Sequence, residues 1–163
     1  MPTTVLNAPT KTNVGMGQIS LGREGDELVA VLGSCVGLTL LHPRHRVAVL
    51  AHIVLPTANG RTGLPGKFAD TAMPEMKKML AVAGVPTVGL VAKLAGGSNM
   101  FGQSGGPLQI GEANIEMITK LLEAQCIRVI AKDLGGTKGR RITVDCQTGL
   151  VDVEVVGIGK VVL

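Results

Sequence analysis

Short apolar runs, rich in Val, Leu, Ile and Ala, alternate with turn residues along most of this chain. Runs of this length, bounded by Gly, Pro, Asn and Asp, are typical of β-strands. In the last run, three valines alternate with Asp152 and Glu154, which predicts a strand with one solvent-exposed face. The predicted strands are Leu28–Leu32, Cys35–Leu41, Arg46–Val54, Thr87–Leu94, Ile127–Lys132, Arg141–Cys146 and Leu150–Val156, the last two joined by a hairpin at Gln147-Thr148-Gly149.

Two further segments have apolar residues at helical spacing. The first covers Thr71–Ala83, with Asp70 as the expected N-cap and Gly84 as the expected stop. Pro74 falls in or beside its first turn, where a missing N–H matters least. The second covers Glu112–Ala124. Strands outnumber helices and several strands look hairpin-joined, so the predicted class is α+β, with mixed or antiparallel sheets layered against flanking helices.

The length of 163 residues predicts one domain with a substantial core, and a hydrophobic content of 45% excludes intrinsic disorder. Residues 1–12, rich in Thr, Pro and Asn, are expected to form a flexible tail before a single domain over 13–163. No apolar run approaches the roughly 20 residues of a membrane-spanning helix, so no membrane insertion is expected. The first residues carry no recognisable secretory signal.

Charge and composition narrow the possible partners. The formal net charge is +4, and Phe68 and Phe101 are the only aromatic residues, too few for a nucleic-acid-stacking surface. The basic run Lys138–Arg141 is interpreted as a solvated turn, and a mildly basic domain would be drawn weakly to acidic proteins. The cysteines at positions 35, 126 and 146 fit neither a disulfide framework nor a zinc motif. A reducing cytoplasm is therefore the expected location.

Two groups of residues that suggest cofactors fail on their spacing. The glycine-rich segment Gly60–Lys67 resembles a phosphate-binding loop but has one residue too many between its glycines, and Phe68 replaces the metal-binding hydroxyl. His42, His45 and His52 lie near one another, but no acidic residue or second cysteine shares their spacing. No cofactor and no metal are expected.

A cysteine and a histidine on neighbouring predicted strands carry the candidate chemistry. A hairpin that turns at Pro43–Arg44 places Cys35 directly opposite His52 on one face of the sheet, with Cβ atoms roughly 4.5–5.5 Å apart. A three-residue loop would instead send the two side chains to opposite faces. The rest of this face is small and more polar, whereas the other face is continuously apolar.

Two interpretations of this pair stay open from the residues alone. A cysteine beside a histidine can act as a nucleophile, and the backbone N–H groups around Gly33 and Ser34 could stabilise an oxyanion. Alternatively, Cys35 is a small buried hydrophobic residue and the nearby histidine is a coincidence. The other two cysteines have no such partner in the sequence and are expected in the core.

A series of short motifs accompanies Cys35 and His52 from about residue 13 to the end of the chain. They are Leu32-Gly33-Ser34-Cys35, His52 with Leu55-Pro56, Lys67-Phe68-Ala69-Asp70-Thr71-Ala72, Ala92 to Phe101, Ile110-Gly111-Glu112-Ala113-Asn114, Asp133 to Arg141 and Thr148-Gly149. In this order they resemble the CheD family of chemoreceptor glutamine deamidases. Each motif is short, but the combination is specific.

This resemblance implies a cofactor-free hydrolysis of chemoreceptor glutamine side chains to glutamate in the cytoplasm. It assigns the nucleophile to Cys35 and the general acid/base to His52, on a fold resembling the cysteine-dependent toxin deamidases. It also implies possible cleavage of receptor methyl esters and an association with the CheC phosphatase. The family pattern has a threonine six residues before the cysteine, where this chain has Val29, so the third catalytic position lacks a hydroxyl.

The departure at Val29 favours a second hypothesis from another functional class. The chain could be a catalytically weak binding module that uses the same fold to engage CheC or receptors. The presence of Cys35 and His52 opposes that hypothesis. Release of ammonia from a receptor fragment would distinguish the two.

Overall fold

A computed structural model describes residues 9–100, 109–155 and 157–163 of the chain. These residues form two α-helices, ten β-strands and a short 3₁₀ turn at Pro65–Lys67. The helices are α1 (Ala69–Val82) and α2 (Ile110–Ala124). The strands are β1 (Lys11–Asn13), β2 (Ile19–Arg23), β3 (Glu27–Leu32), β4 (Val36–His42), β5 (Val47–Ile53), β6 (Val91–Gly96), β7 (Arg128–Leu134), β8 (Arg140–Asp145), β9 (Val151–Val155) and β10 (Gly159–Val162).

The strands form two mixed sheets of five strands each. The first sheet has the order β2-β5-β4-β6-β7 and the second has the order β1-β3-β8-β9-β10. Each contains one parallel pair, β6 with β7 and β1 with β3, and its other pairs are antiparallel. The predicted α+β class with mixed sheets and helices is confirmed, as is the hairpin that joins β8 to β9.

The first sheet is the middle layer of three, with both helices on one face and the second sheet on the other. Because both faces are covered, every residue of β4 and β5 is buried, and this explains their nearly continuous apolar sequences. The face towards the helices carries Val36, Leu38, Leu40, Val49, Ala51 and Ile53, packed against Met76, Leu80, Ile118 and Leu122. The face towards the second sheet carries Leu41, Ala48 and Leu50, packed against Leu28, Leu32, Ile142 and Val153.

The hairpin between β4 and β5 has a different register from the one predicted. Gly37, not Cys35, is the partner of His52, and Cys35 lies just before β4 begins. The turn covers four residues and ends at Arg46, whose left-handed backbone (φ 49°) lengthens it on the C-terminal side. The resulting shift is by two residues, an even number, so the predicted assignment of side chains to the two faces still holds.

The ends of helix α1 follow one of the two predicted signals. It ends before Gly84, whose φ of +79° is the left-handed conformation that stops helices, as predicted. The predicted N-cap is wrong, because the helix begins at Ala69 and Asp70 lies within its first turn. There the Asp70 carboxylate accepts a hydrogen bond from the backbone N–H of Ala58 (3.0 Å). Its negative charge also interacts favourably with the positive N-terminal end of the helix dipole.

The other differences concern short strands at the sheet edges. The strands β1, β2 and β10 were not predicted, because they are three to five residues long and gain their stability from pairing rather than from an apolar pattern. Lys11 and Thr12, placed in the tail by the sequence, pair with β3 in β1. Residues 1–8 of that predicted tail lie outside the described ranges. The strand predicted from Thr87 begins only at Val91.

Candidate active site

Cys35 lies in the bend between β3 and β4, buried with 8% of its surface exposed. Its side chain belongs to the core between the two sheets. Burial raises the pKa of the Cys35 thiol, because the thiolate would lose its hydration there. The resting form at neutral pH is therefore the thiol, and a nucleophilic role requires a neighbouring base.

His52, on β5, points towards the same side of the first sheet as Leu50 and Ala48, which belong to the core that includes Cys35. Its ladder partner Gly37 carries no side chain, and a Cβ there would lie 2.8 Å from Ile142 Cδ1 and 3.1 Å from Leu32 Cδ1, so apolar side chains of the second sheet fill that position. Cys35, two residues before Gly37, would be a diagonal neighbour of His52, about 7–8 Å away on a regular ladder. The fold therefore brings the two predicted residues to one region.

The His52 ring is held by the backbone of a distant segment. Its Nδ1 lies 2.8 Å from the carbonyl oxygen of Val14, and a carbonyl can only accept, so Nδ1 carries the proton. Val14 is held in turn, because its N–H donates to the carbonyl of Val29 (2.7 Å). The neutral ring then has its lone pair on Nε2, which is buried and has no hydrogen-bond partner among the described residues. Of the two ring nitrogens of His52, Nε2 is thus the one that is free to accept a proton.

His42 shows the contrast with a structural histidine. Its Nε2 lies 3.0 Å from the Val88 carbonyl, and its Nδ1 accepts from the N–H of Arg44 at 3.3 Å. Both ring nitrogens have a partner, and the ring also makes an edge contact with His45. Within the described ranges no three His, Cys, Asp or Glu side chains converge as a metal site requires.

The backbone before β4 is anchored to the end of β6. The Gly33 carbonyl accepts from the N–H of Ser98 (3.0 Å), and the Cys35 carbonyl accepts from the N–H of Gly97 (2.8 Å). Because a trans peptide points its N–H opposite to its C=O, the bond to the Gly33 carbonyl turns the N–H of Ser34 away from β6. The N–H groups of Ser34 and Cys35 make no backbone hydrogen bond within the part of the chain that the structure describes. They remain available to a negatively charged oxygen.

Asn114, on α2, is a site residue that the sequence analysis did not single out. Its side chain is fully buried, and its Nδ2 donates to the carbonyls of Ser34 (3.2 Å) and Val54 (2.9 Å). The signal available in the sequence was an asparagine one helical turn before Ile118, on the apolar side of the helix. A polar side chain at such a position must find hydrogen-bond partners in the interior.

A cleft of about 460 Å³ opens beside the Cys35 loop. Residues 97–100, which follow β6, form one wall of this cleft. The opposite wall is the beginning of α2. The lining residues are Ser34, Gly97, Ser98, Asn99, Met100, Gln109, Ile110, Gly111, Glu112, Ile115, Gly135 and Gly136.

Arg140 binds the backbone beside this cleft, although the sequence analysis assigned it to a solvated turn. The residue is only 6% exposed. Its guanidinium donates to the carbonyls of Gly96 (3.1 Å) and Gly135 (2.6 Å), and its Nε lies 3.6 Å from the carboxylate of Asp133. The planar fork of donors suits several carbonyls at once, which explains why this arginine is buried while its neighbour Arg141 is exposed.

Val29 does not face the site. On β3, Leu28, Ala30 and Leu32 point into the core that contains Cys35. The alternation of a strand therefore directs Val29, with Val31, to the other face of the second sheet, where Val29 is buried (1% exposed) and Val31 is 67% exposed. A hydroxyl at position 29 would not reach the side of the sheet on which the cysteine lies.

The remaining cysteines differ from each other. Cys146 is buried as expected, and its pKa rises to about 12, mainly through burial and also through the charges of Asp26 and Asp145. Cys126 was expected in the core but is exposed. It follows the end of α2 in the left-handed conformation (φ 56°), so it belongs to the turn that leaves the helix.

Comparisons with known proteins agree on one family. A family model described as "CheD chemotactic sensory transduction" matches residues 54–155. A protein of Clostridium botulinum (strain Eklund 17B / Type B) named "Probable chemoreceptor glutamine deamidase CheD" is 37% identical over 159 residues, covering 94% of this chain and 98% of the relative. The "Chemoreceptor glutamine deamidase CheD" of Thermotoga maritima is 35% identical over 151 residues, covering 92% and 95%. The match to the family model begins after Cys35 and His52, whereas the part of this chain that each relative leaves uncovered is too short to exclude them.

Proposed function

This chain belongs to the CheD family, and we propose that it hydrolyses the side-chain amide of selected chemoreceptor glutamines, giving glutamate and ammonia. The names of its relatives support this substrate. The observation that carries the proposal is the His52 ring, held through Nδ1 by the Val14 carbonyl with Nε2 unpaired. A buried nitrogen with an unused lone pair, on the side of the sheet that bears a buried thiol, suits general-base catalysis.

The reaction uses Cys35 as nucleophile and His52 as acid and base. As the sulfur attacks the carboxamide carbon, Nε2 takes the proton of the thiol. Without this base the thiol would keep its proton, because burial raises the pKa of Cys35. The protonated ring then gives this proton to the departing nitrogen, and ammonia leaves a thioester behind. Nε2 next deprotonates a water that attacks the thioester carbon, and the sulfur leaves with the proton restored. The thiol proton thus leaves with ammonia and is replaced by a proton of water through Nε2, so the cycle balances without a cofactor.

The N–H groups of Ser34 and Cys35 serve as the oxyanion donors in this proposal. Each attack places a negative charge on the former carbonyl oxygen, and preorganised N–H donors stabilise that charge more than they stabilise the neutral substrate. The anchoring of the loop to Gly97 and Ser98 supports this role, since the donors then need no reorganisation during the reaction.

The cleft beside Ser34 is the proposed place for the receptor segment around the target glutamine. Receptor methyl esters would react by the same route, with methanol leaving instead of ammonia. A CheC-type phosphatase that bound in this cleft would compete with the receptor. These reactions concern the cytoplasmic parts of receptors, so we expect the protein in the cytoplasm.

A binding module without catalysis was the alternative that Val29 suggested. Because Val29 points to the other face of the sheet, its missing hydroxyl does not weaken the proposed pair. The alternative keeps one distinguishing consequence, which is receptor binding with no ammonia released.

The experiment incubates the purified chain with cytoplasmic fragments of chemoreceptors from the same organism. Ammonia release and the peptide mass change from amide to acid are measured together. Cys35→Ala abolishes both signals, and His52→Gln lowers kcat about 10²- to 10⁴-fold, the usual contribution of a general base. Cys126→Ser is the matched cysteine control and keeps full activity. Ammonia release by Cys35→Ala at the original rate would contradict the mechanism.

A further inference from the structure

The side chain of Asn114 is inserted where β4 and β5 separate. The last ladder pair between these strands joins Val36 and Ile53. Just beyond this pair, the amide nitrogen of Asn114 bridges the two segments by donating to the carbonyl of Ser34, two residues before Val36, and to that of Val54, one residue after Ile53. One buried amide thus connects the loop that carries the candidate nucleophile with the strand that carries the candidate base.

The orientation of this amide is unambiguous. Both partners are carbonyl oxygens, which only accept, so the NH₂ group faces them. The Oδ1 atom is then buried without a hydrogen-bond partner among the described residues. An unpaired buried oxygen costs stability, so stability alone does not explain an asparagine at this position.

The bond to Ser34 determines where the next N–H points. The Ser34 carbonyl and the Cys35 N–H belong to one planar trans peptide and therefore point in opposite directions. Because Asn114 holds the carbonyl, the Cys35 N–H is directed away from α2. The ladder to β6 leaves this N–H without a backbone acceptor, since Gly97 donates to Cys35 but receives no bond in return in the described chain, and the N–H interacts with the sulfur of its own residue.

We propose that Asn114 is a positioning residue for the oxyanion site. By holding the Ser34 carbonyl, it directs the Cys35 N–H to the oxygen that becomes negatively charged in the tetrahedral intermediate. The side chain itself does not contact the substrate. This inference rests on the proposed deamidase function, and it adds a residue of α2 to the two residues that perform the chemistry.

The test compares two reactions of the same thiol. Deamidation develops an oxyanion, whereas alkylation by iodoacetamide only forms a carbon–sulfur bond as iodide leaves, so it needs no oxyanion donor. Asn114→Leu and Asn114→Asp are made in the Cys126→Ser background, so that the exposed cysteine does not react. Ile118→Val, one turn further along α2, is the matched control because it alters buried packing without affecting the Ser34 carbonyl.

We expect kcat for ammonia release to fall about 10- to 10²-fold in both Asn114 variants, less than the 10²- to 10³-fold loss of a whole donor. KM and the alkylation rate of Cys35 should stay within about twofold of the parent, because the lost interaction belongs to the transition state. Ile118→Val should keep the parental kcat. Circular dichroism and thermal unfolding establish that each variant is folded.

Three results would overturn the inference. They are an unchanged kcat, a parallel fall in kcat and in the alkylation rate, and loss of folding in both Asn114 variants, each of which would make Asn114 a residue of stability only. Failure of the proposed function looks different. The parent protein itself would then release no ammonia from any receptor fragment while Cys35 was still alkylated.

Discussion

The substitution Gly96→Ala tests how closely the end of β6 is fitted to the candidate nucleophile. Gly96 has a left-handed backbone (φ +104°), and a Cβ there would clash with the backbone carbonyl oxygen of Cys35 and lie 3.3 Å from the side chain of Leu32. A backbone carbonyl in a bonded loop cannot rotate away as a flexible side chain can. The alanine must therefore push β6 and the Cys35 loop apart.

The size of the effect follows from a matched glycine. Gly84 also has a left-handed backbone (φ +79°), but a Cβ there would have no atom within 4 Å, so Gly84→Ala costs only the conformational strain of about 1–2 kcal/mol. Gly96→Ala adds the loss of bonds at the shifted segment, such as Gly135 N–H to the Gly96 carbonyl (2.9 Å) and Gly97 N–H to the Cys35 carbonyl (2.8 Å). At about 0.5–1.5 kcal/mol for each bond, the total is about 2–5 kcal/mol.

The assay measures urea unfolding and ammonia release for both variants. Gly84→Ala should lose the smaller free energy of unfolding and keep kcat. Gly96→Ala should lose more stability and about 10²-fold in kcat, since a misplacement on the order of 1 Å has that effect on a reacting group. Equal losses in the two variants, in both stability and kcat, would refute the reasoning that the end of β6 positions Cys35.

Two further predictions follow from the directions of buried side chains. Val29→Thr should leave kcat for ammonia release within about twofold, below the roughly tenfold gain of a useful hydrogen bond; a tenfold gain would show that position 29 faces the site. For Cys146, a pKa of about 12 lies above the ordinary 9.0, so the folded protein keeps this proton longer than the unfolded chain. Its contribution to the free energy of unfolding is therefore complete below pH 9 and falls as pH rises from about 9 towards 12. Urea unfolding of Cys146→Ala across that range should show a shallower fall than the parent, and identical slopes would contradict it.

The strands that cross the core were predictable because their apolar patterns are continuous. Both β4 and β5 are covered on two faces, so their composition alone indicates burial. The exact residue pairing between β4 and β5 was not predictable, because it depends on the left-handed backbone of Arg46. No pattern of side chains in the sequence indicates that conformation. The edge strands were missed for a related reason, because three to five residues stabilised by one neighbour leave little pattern in the sequence.

The sequence by itself predicted that Cys35 and His52 share one side of a sheet for a hairpin that turns at Pro43–Arg44, and the even register shift in the structure preserves that assignment, because strand alternation has a period of two. It also carried the family resemblance, through motifs that need no knowledge of their contacts. Only the tertiary structure decided what surrounds the pair. The carbonyl that holds the ring of His52 belongs to Val14, and the amide that holds the loop before Cys35 belongs to Asn114, 80 residues beyond Ser34. Such partners are chosen by how sheets and helices pack, and packing between distant segments leaves no periodic signal in either segment.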